Sequence, residues 1–168
     1  MRLLSVEVGP IWYYKDIMIK LGKLTDYAIA VMGQLTREES AISAHVLAGK
    51  TGIPEPTVAK VLKLLSKEDL VISERGAAGG YRLAKTADDI SIGAIITAME
   101  GPIALVACVD GQDENCNMSG TCPTKGKWSR VNDAIKLALE SVKLKDMLSP
   151  PACTDVHISL KDIHVHRA

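Results

Sequence analysis

The turn Thr51-Gly52-Ile53-Pro54 constrains the fold more than any other feature of the sequence, because it separates two short segments whose apolar residues recur at helical spacing. The first segment is predicted to be a helix from about Ser43, a suitable N-cap, to residue 50, and Gly52 marks its end. The next helix is predicted to begin near Glu55, since Pro56 suits a first helical turn. Two short helices joined by a glycine-containing turn predict a helix-turn-helix.

A β-hairpin is predicted directly after the second of these helices. Residues 70–72 are rich in strand-forming side chains, a glycine-rich segment covers residues 74–80, and Tyr81-Arg82-Leu83 forms the return strand. Upstream, apolar residues from Leu24 to Leu35 recur at helical spacing and predict a first helix with one buried stripe. A helix-turn-helix followed by such a hairpin predicts a winged helix, in which the hairpin is the wing.

The C-terminal half is predicted to be helical. Ser91 can cap a helix that continues to about Met99, and Gly101-Pro102 interrupts it. A last long helix is predicted from about Lys127 to Met147, before a Pro-Pro pair. Its apolar stripe comprises Trp128, Val131, Ile135, Ala138 and Val142.

The predicted fold class is therefore mainly α with a small β-hairpin wing: a winged helix-turn-helix plus a long C-terminal dimerisation helix. Dimerisation is expected because 168 residues without phenylalanine give a small protomer with a modest core. The chain is predicted to divide into an N-terminal extension from a misplaced start (1–17), a DNA-binding domain (18–86), a connecting helix and cysteine loop (87–125), the dimerisation helix (126–148) and a flexible tail (149–168).

The first residues have neither the apolar core nor the cleavage site of a signal peptide, and no stretch approaches the ~20 apolar residues that span a bilayer. We therefore expect a cytoplasmic protein without a membrane partner. No paired carboxylates, nucleophile–base motif or cofactor fingerprint stands out, so we expect neither an enzyme nor a small-molecule substrate. His45 is a weak candidate base, because a single histidine on a short helix is usually structural.

Charge is distributed unevenly although the net charge is zero. Residues 50–85 carry seven Lys and Arg against four Asp and Glu, whereas residues 86–125 carry six acids against Lys125 alone. The basic segment can bind phosphate groups, whereas the acidic segment cannot.

The basic surface of the predicted winged helix suits double-stranded DNA. A recognition helix can enter the major groove only if its polar residues lie on the side away from its apolar stripe. Glycines in a wing permit close approach to the nucleic-acid backbone. The candidate DNA-binding residues are Pro56, Thr57, Lys60 and Lys63 in the helix, with Arg75, Gly79, Gly80 and Arg82 in the wing. A merely solvated face is the alternative for the lysines, and a nucleotide-binding loop is a weaker alternative for the glycines, which join two strands rather than a strand and a helix.

Three of the four cysteines lie within fifteen residues, with the spacing Cys108-x7-Cys116-x5-Cys122. In a reducing compartment such a cluster favours metal or redox chemistry over structural disulfides. Structural zinc usually takes four ligands with closer cysteine pairs, so the wider spacing favours an iron–sulfur cluster. A disulfide with one remaining thiol, or a thiol redox switch, stays open. The fourth ligand is also open, with Cys153, a carboxylate and three histidines of the tail as candidates, namely His157, His164 and His166.

From about Met18 to Pro150 the sequence resembles the Rrf2 family of regulators, specifically the subgroup associated with the SUF iron–sulfur assembly system. The resemblance is carried by residues 23–28, by the turn and helix of residues 51–65, by the wing of residues 75–83, by Glu100-Gly101-Pro102-Ile103-Ala104-Leu105, and by the three cysteines followed by Trp128.

The resemblance implies a homodimer in which the C-terminal helices pack together and each winged helix reads half of an operator. It also implies that Cys108, Cys116 and Cys122 hold an iron–sulfur cluster, with 2Fe–2S favoured over 4Fe–4S. Some members supply a histidine three residues after the last cysteine, where this chain has Lys125. In the nitric-oxide-sensing branch an aspartate of the partner's first helix is the fourth ligand, and Asp26 matches it, although Asp26 could equally cap or solvate its helix.

We therefore expect a regulator in which cluster occupancy shifts the population of DNA-competent dimers, with repression of SUF-type cluster assembly genes as the outcome. Two alternatives are an iron–sulfur carrier or electron-transfer protein that uses the winged helix for protein contacts, and a regulator that senses nitric oxide or thiol oxidation.

Overall fold

The computed structural model describes residues 20–76, 79–106, 109, 121–124 and 126–149. The predicted N-terminal extension, Cys108, Cys116, Lys125 and the tail with Cys153 and the histidines lie outside the described residues. The elements in chain order are α1 (Lys23–Leu35), α2 (Ala44–Thr51), α3 (Glu55–Lys67), β1 (Val71–Glu74), β2 (Gly80–Leu83), α4 (Ile92–Glu100), α5 (Trp128–Ser141) and α6 (Leu144–Leu148). This mainly helical fold with one two-stranded antiparallel hairpin confirms the predicted mainly α class with a β-hairpin wing.

The caps predicted for the helix-turn-helix are present. The Ser43 side chain accepts a hydrogen bond from the backbone N–H of Val46, which satisfies one of the free donors at the start of α2. Gly52 has φ of 70° and donates its backbone N–H to the carbonyl of Ala48, at 2.9 Å, to close the same helix. Pro56 lies in the first turn of α3, where no intrahelical donor is needed. The local sequence therefore sets both ends of the turn between α2 and α3.

One hydrophobic core joins the helix-turn-helix to α4 and α6. The four buried residues of α3 repeat at helical spacing and contact α1 and α4, and each contributes about 1.5–3 kcal/mol through burial of its side chain. Those four residues are Val58, Val61, Leu62 and Leu65. Ile95 of α4 and Leu144 of α6 are fully buried in the same core. Because these four residues face the core, the opposite side of α3 must face solvent.

The wing is attached to the helix-turn-helix by an additional backbone contact that the sequence did not predict. Strands β1 and β2 are antiparallel, with Val71 opposite Leu83 and Glu74 opposite Gly80. On the other side of β2, Ile42 and Tyr81 form an isolated bridge with N–H to O distances of 3.1 and 2.8 Å. The hairpin is therefore held against the segment that leads into α2.

The prediction of one continuous helix from Lys127 to Met147 is wrong. Val142 and Lys143 are extended, with ψ of 129° and 158°, and they separate α5 from α6. The Val142 carbonyl accepts from the N–H of Ile92 at 2.9 Å, and the N–H of Leu144 donates to the Ile90 carbonyl at 2.8 Å. These hydrogen bonds to Ile90 and to Ile92, the first residue of α4, replace the helical ones, and burial of Leu144 favours the break.

The apolar stripe predicted for the last helix is only partly covered. Trp128 and Val131 remain 39% and 46% exposed, while Ile135, Ala138 and Val142 are half-buried.

Within the described part of the chain, no helix has the length and hydropathy needed to cross a membrane.

Candidate nucleic-acid interface and cysteine loop

The outward face of α3 presents two lysines without neutralising partners. Lys60 and Lys63 are exposed, Pro56 is exposed beside them, and Thr57 is half-buried. Over the described residues, neither lysine forms an ion pair. Both positive charges are therefore available to an anionic partner. Ala59 is also exposed on this side of α3, a residue that the sequence analysis missed because a lone alanine carries no pattern of its own.

A side-chain contact joins the start of α3 to α2. Glu55 Oε2 lies 2.9 Å from Nδ1 of His45, and both side chains are largely solvent-accessible. His45 thus lies on the surface beside Glu55. Because both side chains are largely exposed, their contact adds little to the packing of α2 against α3. No sequence signal identified it, because the two residues are on different helices.

Not every basic residue of the 50–85 segment offers a free charge. Lys50 Nζ lies 2.5 Å from Oε1 of Glu38, and this hydrogen bond, with a second from Gln34, lowers the pKa of Glu38. Arg82 pairs with Glu74 across the hairpin. The charge of Lys50 and that of Arg82 are therefore balanced locally.

Arg75 is the remaining basic residue of the wing. It is exposed and, as far as the structure describes the chain, it forms no ion pair. It follows Glu74 at the end of β1 and precedes Gly76, which has φ of +129°. Its charge is thus not balanced by any residue that the structure describes.

Gly79 and Gly80 have a steric role that is evident from their surroundings. A Cβ atom at Gly79 would come under 3.0 Å from the carbonyl oxygen of Glu74, and one at Gly80 would come equally close to the backbone of Ile42. These glycines let the two strands of the wing and the residue-42 segment approach one another. Their contact with DNA stays a prediction.

The candidate cluster ligands are only partly described. Asp26 is exposed in the first turn of α1. Cys122 is half-buried, and its Sγ lies 3.3 Å from Oγ1 of Thr124. Among the described residues, no three His, Cys, Asp or Glu side chains converge on a point, so Asp26 and Cys122 are not brought together in such a group.

The segment that leads from α4 toward the cysteine loop is held at both ends. Glu100 accepts hydrogen bonds from Oγ1 of Thr25 at 2.6 Å and from the N–H of Gly22 at 2.8 Å, and these bonds lower its pKa. Farther along, the side chain of Asn132 on α5 binds the backbone of Ile103 and Leu105. No local sequence pattern indicates either anchor, because each joins residues more than 25 positions apart.

Comparisons with known proteins agree with this winged-helix architecture. Residues 21–150 match the Rrf2 family, described as iron-dependent transcriptional regulators. The transcriptional regulator NsrR of Oceanobacillus iheyensis is 31% identical over 132 residues, covering 77% of this chain and 90% of that protein. CymR of Bacillus subtilis is 31% identical over 134 residues, with 78% and 91% covered, and IscR of Pectobacterium carotovorum is 28% identical over 132 residues, with 77% and 79% covered.

Two solved structures support the same conclusion. The structure of CymR, the global cysteine regulator of B. subtilis, has a TM-score of 0.60 and 30% sequence identity, covering 80% of this chain and all of that one. The T. potens IscR structure has a TM-score of 0.55 and 31% identity, with 78% and 87% covered. The matched relatives are named transcription regulators, which confirms the expectation of a regulator over an enzyme.

Proposed function

Because this chain belongs to the Rrf2 family of DNA-binding transcription regulators, we propose that it binds operator DNA as a homodimer and that an iron–sulfur cluster controls this binding. The observation that carries the DNA-binding part is the exposure of Lys60 and Lys63 on α3, neither of which forms an ion pair with a described residue. Further support comes from Arg75 near the wing tip, which is exposed and forms no ion pair within the same part of the chain.

Helix α3 and the wing are proposed to contact different parts of the DNA. Helix α3 enters the major groove, where Thr57 and Lys60, near its N-terminus, reach base edges. Arg75 contacts phosphate or the adjacent minor groove and thereby sets the register of α3 on the duplex. Arg82, which is paired with Glu74, positions the hairpin and contributes less charge to the interface.

Homodimerisation is proposed to proceed through α5. Trp128 and Val131 leave apolar surface exposed near the start of this helix. A second copy of the same helix would remove that surface from water, at about 25 cal/mol for each Å² buried. The dimer would also place two α3 helices for the two halves of an operator.

The proposed cluster ligands are Cys108, Cys116, Cys122 and Asp26. Thiolates are the usual ligands of iron–sulfur clusters, so the three cysteines fit such a group. The preference for 2Fe–2S over 4Fe–4S rests on the family resemblance alone. Asp26 is exposed at the start of α1, which leaves its carboxylate accessible to a partner subunit. When bound, the cluster supplies a centre that responds to iron supply, oxygen or nitric oxide. The chain's own part is to bring that centre next to α5.

The regulated genes are proposed to be those of SUF-type cluster assembly, with repression as the outcome. The relatives alone do not select this role, because NsrR, CymR and IscR match with nearly equal identity of 28–31%. The three-cysteine loop of this chain favours a cluster over the other signals.

The DNA-binding proposal is tested by selecting a double-stranded operator with the purified protein and measuring affinities by gel shift. Lys60→Ala and Arg75→Ala are expected to weaken binding, while Lys145→Ala, at an exposed position on α6 outside the proposed DNA and dimer surfaces, serves as the matched control. Loss of a base contact would weaken the binding free energy by about 1–3 kcal/mol and relax the preference for one base pair. Loss of a phosphate contact would instead reduce the slope of log affinity against log salt concentration by about one. Wild-type affinity in both variants, or no selective sequence at all, would favour the carrier or electron-transfer alternative.

A further inference from the structure

Asn132 is a buried polar residue on α5. Its side chain is 5% exposed, and it is the one asparagine or glutamine among the buried residues that the structure describes. An amide in such a position is costly unless both its donor and its acceptor are satisfied. The hydrogen bonds of Asn132 are therefore informative about what its position requires.

Both ends of the Asn132 amide bind one short stretch of backbone. Nδ2 donates to the carbonyl of Ile103 at 3.0 Å, and Oδ1 accepts from the N–H of Leu105 at 3.0 Å. The side chain thus pairs with this stretch much as a neighbouring β-strand would. A carboxylate could not replace it, because a carboxylate cannot donate, and an aliphatic side chain can neither donate nor accept.

The stretch that Asn132 holds leads directly to the cysteine loop. Leu105 precedes Cys108 by three positions. At its other end, Glu100 is fixed to α1 through Thr25 and Gly22. Residues 100–105 therefore form a short connection, which we name the loop stem, between the first helix of the winged domain and the helix that carries Trp128 and Val131.

We infer that Asn132 is the positioning residue through which the state of the cysteine loop reaches α5. The inference rests on the proposed function. A ligand can change DNA binding only if its bound and free states differ in contacts that reach the DNA-binding elements. Any displacement of Cys108 on cluster binding acts on the loop stem, and the two hydrogen bonds of Asn132 pass that displacement to α5. Without them the loop stem moves while α5 stays in place.

The direct experiment compares operator affinity in the cluster-loaded and cluster-free states. In the wild-type protein the ratio of the two dissociation constants is expected to be on the order of 5–150-fold, as for other coupled sites. Asn132→Asp preserves shape and one acceptor but removes the donor, and Asn132→Leu removes both. We expect each variant to retain cluster iron and sulfide while the ratio falls toward one. Asp133→Asn, at the exposed neighbouring position, should keep the wild-type ratio.

Hydrogen exchange on the wild-type protein provides a test that does not depend on a variant folding. Cluster loading should change the protection of the peptide containing Leu105 and of the peptide containing Asn132 together. A change confined to the first peptide would overturn the inference, as would variants that keep the wild-type ratio. If the wild-type protein holds no cluster or shows no cluster-dependent affinity, the proposed function itself fails, which is a distinguishable result.

Discussion

Replacing Gly80 with alanine is expected to damage the attachment of the wing. The added Cβ would come under 3.0 Å from three backbone atoms of Ile42, and backbone cannot yield as a flexible side chain does. Relief of that clash requires β2 to move away from Ile42. The two hydrogen bonds of the bridge between Ile42 and Tyr81 would then be lost or weakened.

The size of the effect follows from these two contributions. Two backbone hydrogen bonds contribute about 0.5–1.5 kcal/mol each, and overpacking costs about 1–3 kcal/mol. We therefore expect Gly80→Ala to lower the free energy of unfolding by roughly 3 kcal/mol, within the sum of those ranges. For a chain of this length, that corresponds to a decrease in melting temperature of about 6–12 °C.

The assay is urea or thermal unfolding at equal protein concentration, with Gly49→Ala as the matched control. Gly49 is an exposed residue inside α2, and a Cβ there would meet no atom within 4 Å. That variant should be more stable than the wild type by about 0.5–1 kcal/mol, because alanine favours a helix over glycine. Equal stability changes at the two positions would refute the role assigned to the Ile42 bridge. Operator affinity should also fall in Gly80→Ala, since the wing carries Arg75.

Three further predictions concern Glu100, the DNA face and α5. The hydrogen bonds from Thr25 and Gly22 lower the pKa of Glu100 below its ordinary value of 4.5. Ionised Glu100 therefore stabilises the fold fully above pH 4.5, and this stabilisation is lost as the pH falls through the lowered pKa of the folded state. Glu100→Gln should reduce the acid-induced loss of stability, as measured by thermal melts below about pH 4.5. Lys63→Ala should lower operator affinity and reduce the slope of log affinity against log salt by about one, as measured by fluorescence anisotropy, and an unchanged slope would contradict a phosphate contact. Val131→Glu should shift the protein from dimer to monomer in sedimentation velocity, whereas an unchanged dimer would place the interface elsewhere.

The winged helix could be predicted because its signals are local. Ser43, Gly52 and Pro56 each mark a helix end through their own backbone or side-chain chemistry, and the structure has them in those places. The burial of α3 follows from a repeat within one helix. These features depend on neighbours within about four positions, and a sequence displays such neighbours directly.

The features that were missed or wrong depend on distant partners. The break at Val142 arises because its carbonyl binds Ile92, some fifty positions away, and the periodicity of α5 gives no sign of that. Asn132 and Glu100 likewise bind backbone groups that only the fold brings close. The DNA-contacting residues and the cluster ligands stay predictions.

Cluster occupancy is proposed to control operator binding, and operator affinity measured with and without the cluster checks this. Protein purified without oxygen is assayed for iron, sulfide and its visible spectrum, and its affinity for the selected operator is measured before and after the cluster is removed. We expect a coloured protein whose two affinities differ by about fivefold or more. A colourless protein with stoichiometric zinc, or equal affinity in the two states, would contradict it.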